Sequence, residues 1–182
     1  LGIALLGISL SLNQLIMFGY MSFFLIILNI ILIFLIIYIL GNYFNLSKNL
    51  SYLIGMGTAI CGVTAIIATS SIINPKKKEI SYAVSIVTVF GLITVLTYPY
   101  LSELLFKNDD ILAGIFLGAS IHDTAQVSAA GMIYDETFDS ENALNSAMAT
   151  KLLRNSFLIL LIPLLTLKFI KAVSYTHLTL PT

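Results

Sequence analysis

Long uncharged runs alternate with short polar connections along the whole chain, and the runs differ in texture. Phe23 to Leu40 is 18 residues of almost unbroken Ile, Leu and Phe with one Asn, long enough for a lipid-facing membrane helix. Leu1 to Met17 carries Gly2, Ala4, Gly7, Ser9 and Ser11 and is expected to be the end of a longer crossing packed closely on a neighbour. Ile80 to Leu101 is another uncharged crossing, with Thr88, Gly91, Thr94 and Thr97 at helical spacing and Pro99 near its end. That polar stripe should face protein. Ala143 to Leu167 has Lys151 and Arg154 three apart on one helical face, so it should enter obliquely or shelter its charges against the bundle.

The remaining two runs have a different character. Leu50 to Ile73 and Ile111 to Tyr134 hold six of the 11 glycines: Gly55, Gly57 and Gly62 in one, Gly114, Gly118 and Gly131 in the other. Aligning Gly57-Thr58-Ala59-Ile60-Cys61-Gly62 with Gly118-Ala119-Ser120-Ile121-His122-Asp123 matches the first Gly and the Ile. Thr58, Gly62, Ala65 and Thr69 share a helical spacing with Gly118, His122, Ala125 and Ala129, which suggests two small-residue faces. Paired glycine-interrupted segments are the best sequence pointer to a transporter site. A helix broken at mid-membrane exposes N–H groups and a partial positive charge that can hold an anion. Thr58, Ser120 and Thr124 would add hydroxyl donors. The plainer alternative is that the glycines only permit tight packing.

Charge sharpens this picture. Charged residues are 10% of the chain, against about 25% in soluble domains, and mean hydropathy is +0.99, so the protein belongs in a membrane. Net charge is zero, and the short run Lys76-Lys77-Lys78 reads as a topology signal, with no nucleic acid as partner. If that run is cytoplasmic, five Lys and Arg fall inside and four outside, whether Ile111 to Tyr134 spans or re-enters. Cys61 is the single cysteine, so no intrachain disulfide forms, and it is expected to pack as a small residue. Asp123 alone among the acidic residues lies away from the polar connections, next to His122, and a costly ionisable pair at that depth points to function. A neutral imidazole on a carbonyl, and a carboxyl held by Thr124, Gln126 or Arg154, would be the structural explanation.

The motifs Leu5-Leu6-Gly7, Gly57 to Gly62, Thr88 with Phe90-Gly91, Tyr98-Pro99, Gly118 to Val127, Ala129-Ala130-Gly131, and Lys151-Leu152 with Arg154 resemble the bacterial inner-membrane family named for sulfate export, the YeiH-like group. The resemblance implies secondary transport of sulfate or a related small anion, a longer parent with further helices at both ends, and kinship with transporters built from inverted repeats with broken helices. One crossing between the two glycine-rich stretches makes them run parallel unless one is re-entrant, so they need not be the inverted pair.

The expectation is thus an all-α, polytopic transmembrane helix bundle with glycine-interrupted helices, part of an inverted-repeat transporter fold in a bacterial inner membrane. Residues 1–171 would form one membrane domain of about six hydrophobic elements, and 172–182 a non-native tail to which His177 belongs. The substrate site would combine Gly57, Thr58, Cys61, Gly62, Ser120 and Gln126. His122, Asp123 and Arg154 would couple transport to a proton or ion, Arg154 as counter-ion to Asp123 or as a second anion contact. Partners would be a small anion, the lipid bilayer and, in an oligomer, further copies; no cofactor is called for. Cys61, His122 and Asp123 lack the repeated spacing of a structural zinc site. They also make a poor hydrolase triad, because adjacent helical residues point about 100° apart. A non-transporting scaffold or sensor is the rival reading.

Overall fold

A computed structural model describes residues 12–107 and 109–176, and among them all regular structure is helical: α1 (Leu12–Tyr43), α2 (Lys48–Ala59), α3 (Val63–Ile73), α4 (Lys77–Phe106), α5 (Asp110–Ser120), α6 (Thr124–Phe138), α7 (Ala143–Ser156) and α8 (Leu158–Thr176). Residues 1–11 and 177–182, and with them most of the expected N-terminal remnant and the end of the expected tail, lie outside the described residues. Leu12 to Met17 is continuous with Phe23 to Leu40 in α1, so these belong to one helix and not to two crossings.

Among the described residues three segments are long and apolar enough to cross a membrane: Ser22–Tyr43, Lys77–Phe106, and Ala143–Phe169, the last formed by α7 and α8 end to end. The protein is a multi-pass, all-α membrane bundle. The four helices α2, α3, α5 and α6 have 12, 11, 11 and 15 residues. At 1.5 Å per residue each is about 16 to 23 Å long, short of the roughly 30 Å of a hydrocarbon core.

The short helices pair as hairpins. Ser47, which caps α2, also hydrogen-bonds Glu79 at the start of α4, and Leu50 and Leu53 pack with Ile72, Ile73, Ile80 and Ala83. The first residues of α2 and the last of α3 therefore lie at the same end of the molecule. The second pair repeats this at the opposite end of α4. The Tyr134 hydroxyl donates to Glu103 at 2.6 Å, Tyr100 stacks edge-on with Phe138, and Phe106 packs on Phe116. The start of α5 and the end of α6 thus meet the end of α4.

Both glycine-rich stretches are re-entrant hairpins, and they enter from opposite ends. The sequence leaves open whether these stretches span or re-enter; here both re-enter, and two hairpins flanking one crossing are an inverted pair. Among the described residues the helices make three crossings and two hairpins.

Local chemistry explains the turns. Gly62, at φ +61° and ψ −127°, takes a backbone conformation that L side chains rarely adopt, and this reverses the chain between α2 and α3. At the second tip Ile121 is extended, and Asp123 caps α6 by accepting from Ala125 N at 2.9 Å. The small faces expected along unbroken helices do not form, since both series cross a tip. The small residues instead let α7 in. Gly114 lies against Ser146 and the Ala143 carbonyl, Gly118 against Ala147 and Thr150, and Gly131 against Leu144.

Candidate functional site

The two tips meet at the last two turns of α7. Gly62 lies against the His122 carbonyl, 3.5 Å from where a Cβ would stand. Beneath this contact Lys151 and Arg154, 0% and 1% exposed, rise from α7. Lys151 Nζ donates to Ile60 O at 3.0 Å, Ile121 O at 2.8 Å and His122 O at 2.5 Å, which uses all three ammonium protons. Arg154 donates through Nε to Ala59 O at 2.7 Å, through Nη1 to Ala119 O at 2.6 Å, and through Nη2 to Thr58 O.

All these acceptors are carbonyls at or just past the C-terminal ends of α2 and α5, where a helix leaves its last four C=O groups without partners and carries partial negative charge. A buried cation is costly unless paired and fully hydrogen-bonded. Here the two cations and the two helix ends satisfy each other, and one rigid helix holds both tips.

The expected site residues fall as follows. Cys61, Gly62, His122 and Asp123 sit on the tips. Cys61 lies beside Ala65 N–H in the first turn of α3. Gly57 is a close-packing position between arms, since a Cβ there would stand 2.8 Å from the Ile66 side chain and 3.3 Å from Val87. Thr58 contributes its carbonyl to Arg154. Ser120 is the half-buried last residue of α5. Gln126 packs on Gly91 of α4, and its Oε1 and His122 Nδ1 are buried without a partner.

Arg154 is not the counter-ion of Asp123. Its guanidinium is taken up by carbonyls, while the Asp123 carboxylate caps α6. Nor are His122 and Asp123 helical, so the argument from 100° spacing does not apply to them.

Two participants were missed. Lys151 shares a helical face and a family motif with Arg154 but has no place in the expected site, although a second cation inside an apolar crossing is itself a signal. Asn155 donates to Thr124 Oγ1 at 3.2 Å and has a buried, unpartnered Oδ1. Nothing in its local sequence marked it.

The tip region has two half-helix N-termini, α3 and α6. That of α6 already holds a carboxylate. Gly62 offers α3 no side-chain acceptor. With both cations counted against Asp123 the fixed charge is net positive, an environment suited to an anion.

Comparison with known proteins agrees with a membrane assignment. Residues 1–179 match the family described as Conserved hypothetical protein 698. A UPF0324 membrane protein of Streptococcus agalactiae is 35% identical over 152 residues, covering 84% of this chain and 45% of that protein. One of Streptococcus pneumoniae is 34% identical over the same coverage. The UPF0324 inner membrane protein YeiH of Escherichia coli is 34% identical over 158 residues, 85% of this chain and 43% of that protein. The chain spans less than half the length of these relatives. No solved structure matches.

Proposed function

We propose that this chain, which belongs to the Conserved hypothetical protein 698 family, is part of a secondary transporter that moves a small anion across a bacterial inner membrane by alternating access. The observation that carries the reading is the meeting of two oppositely entering half-membrane hairpins at buried Lys151 and Arg154. Irregular backbone at membrane depth occurs only where it is buried in protein or lines a cavity, and a broken-helix pair at the midplane is where such transporters bind substrate. Fixing cations on the helix C-termini leaves the α3 N-terminus beside Gly62, which has no acidic residue in its first turn, as the place for negative charge.

Sulfate is the first anion to test, on the resemblance of the tip motifs to the family named for its export. Asp123 and His122 carry the coupling proton in this reading. Protonating Asp123 would free the α6 N-terminus of its capping charge and make the site more positive.

The test is flux of labelled sulfate in proteoliposomes holding the full-length parent, with and without a pH gradient. Saturable, gradient-dependent flux that falls at least about tenfold in His122→Ala supports the reading, a tenfold effect being roughly 1.4 kcal/mol. Flux indistinguishable from empty liposomes across sulfate and other small anions, from correctly folded protein, would overturn it.

A further inference from the structure

Lys151 marks a place that transporters of this construction commonly give to a coupling cation. Unwound carbonyls and half-helix C-termini at a midplane break are ligands for Na⁺ or a proton carrier. Here Ile60 O, Ile121 O and His122 O converge on one point from both hairpins, and the point is filled by the Lys151 ammonium. The remaining C-terminal carbonyls, Thr58 O, Ala59 O and Ala119 O, are filled by Arg154. Both groups are fully enclosed and covalently tethered to α7, whose Thr150 is itself tied to Ser22 of α1 at 2.7 Å.

We propose that Lys151 is a built-in cation standing at the coupling-ion position, so that the hairpin tips are held without Na⁺ or any other dissociable metal cation. This rests on the tips being the transport site and names how that site is coupled: the positive charge that neutralises the helix ends cannot leave with the substrate. No metal cation then enters the stoichiometry, and driving force must come from the anion's own gradient or from protons.

The chemistry sets the test. Lys151→Ala deletes a propylammonium fragment and leaves three buried carbonyls facing an empty channel. Lys151→Met removes the charge but fills the channel. The full-length parent and both variants are melted in detergent at equal ionic strength with Na⁺, N-methylglucamine or propylammonium as the cation.

The wild type should melt at the same temperature in all three. Lys151→Ala should melt lower and be raised by propylammonium by about 5 °C or more at saturation, while Lys151→Met should not respond. A wild type stabilised by Na⁺ over N-methylglucamine, or a folded Lys151→Ala with unchanged melting and no response to propylammonium, overturns the proposal. Should Lys151→Ala fail to fold, the wild-type comparison still decides. Melting requires no transport, so failure of the anion-transport reading shows separately, as absent flux with this cation pattern intact.

Discussion

At the scale of single residues, the structure turns on groups whose partners lie far away in sequence. Arg154 contacts carbonyls 95, 96 and 35 residues distant. Arg154→Ala would leave those buried carbonyls unpaired, and with about 1–3 kcal/mol lost for each orphaned group we expect destabilisation of at least about 3 kcal/mol. Arg154→Lys should recover less than half, because an ammonium lacks the planar fork that reaches both hairpins. Denaturant unfolding of the full-length parent and both variants checks this order.

Glycines sort by what a methyl group would strike. At Gly118 it meets the Ala147 carbonyl and, at 2.8 Å, Thr150 Cβ on a fixed helix, so Gly118→Ala should cost about 1–3 kcal/mol. At Gly55 it meets the Phe34 ring at 3.3 Å, which can swing, and Ile37 Cγ2 at an ordinary 3.6 Å, and Gly55→Ala should cost less than about 1 kcal/mol. Equal losses at the two sites in a thermal melt would contradict this packing account.

At the scale of elements, the tips were legible and the hairpins were not. The alignment of Gly57 to Gly62 with Gly118 to Asp123 puts Ile60-Cys61-Gly62 opposite Ile121-His122-Asp123, and these two triplets are the breaks in the structure. Gly62 and the pair Asp123-Thr124 carry that signal as a positive-φ turn and a new helix cap. Length, however, cannot distinguish one crossing from two half-crossings. The 24 residues Leu50 to Ile73 suit a single span as well as they suit α2 and α3 folded back.

The direction of α3 was therefore invisible without the distant contact of Ser47 with Glu79. Gly62→Ala tests the turn: a Cβ at φ +61° is strained whatever room it has, so we expect lower stability and lower flux together. Unchanged melting would mean that the turn tolerates another backbone conformation.

At the scale of the whole molecule, re-entrance recasts the charge pattern. Lys48, Lys76, Lys77, Lys78 and Lys168 gather at the end where the first hairpin enters. The other end holds Glu103, Asp109, Asp110, Asp135, Glu136, Asp139 and Glu141 with Lys107. Counting all runs as crossings, or only the central stretch as re-entrant, had split the basic residues almost evenly and hidden this bias. With both hairpins folded back, the positive-inside rule puts the lysine end in the cytoplasm.

The central claim is that two half-membrane hairpins enter from opposite faces and meet at Lys151 and Arg154. Its most direct test is side-specific thiol labelling of single cysteines in the full-length parent with its other cysteines replaced, at Asn45, Lys77, Asp109 and Glu141 in turn. Asn45 and Lys77 should react only with cytoplasmic reagent, and Asp109 and Glu141 only from the opposite face. Labelling of Asn45 and Lys77 from different faces, or of Asp109 and Glu141 from different faces, would make that stretch a full crossing and contradict the inverted pair.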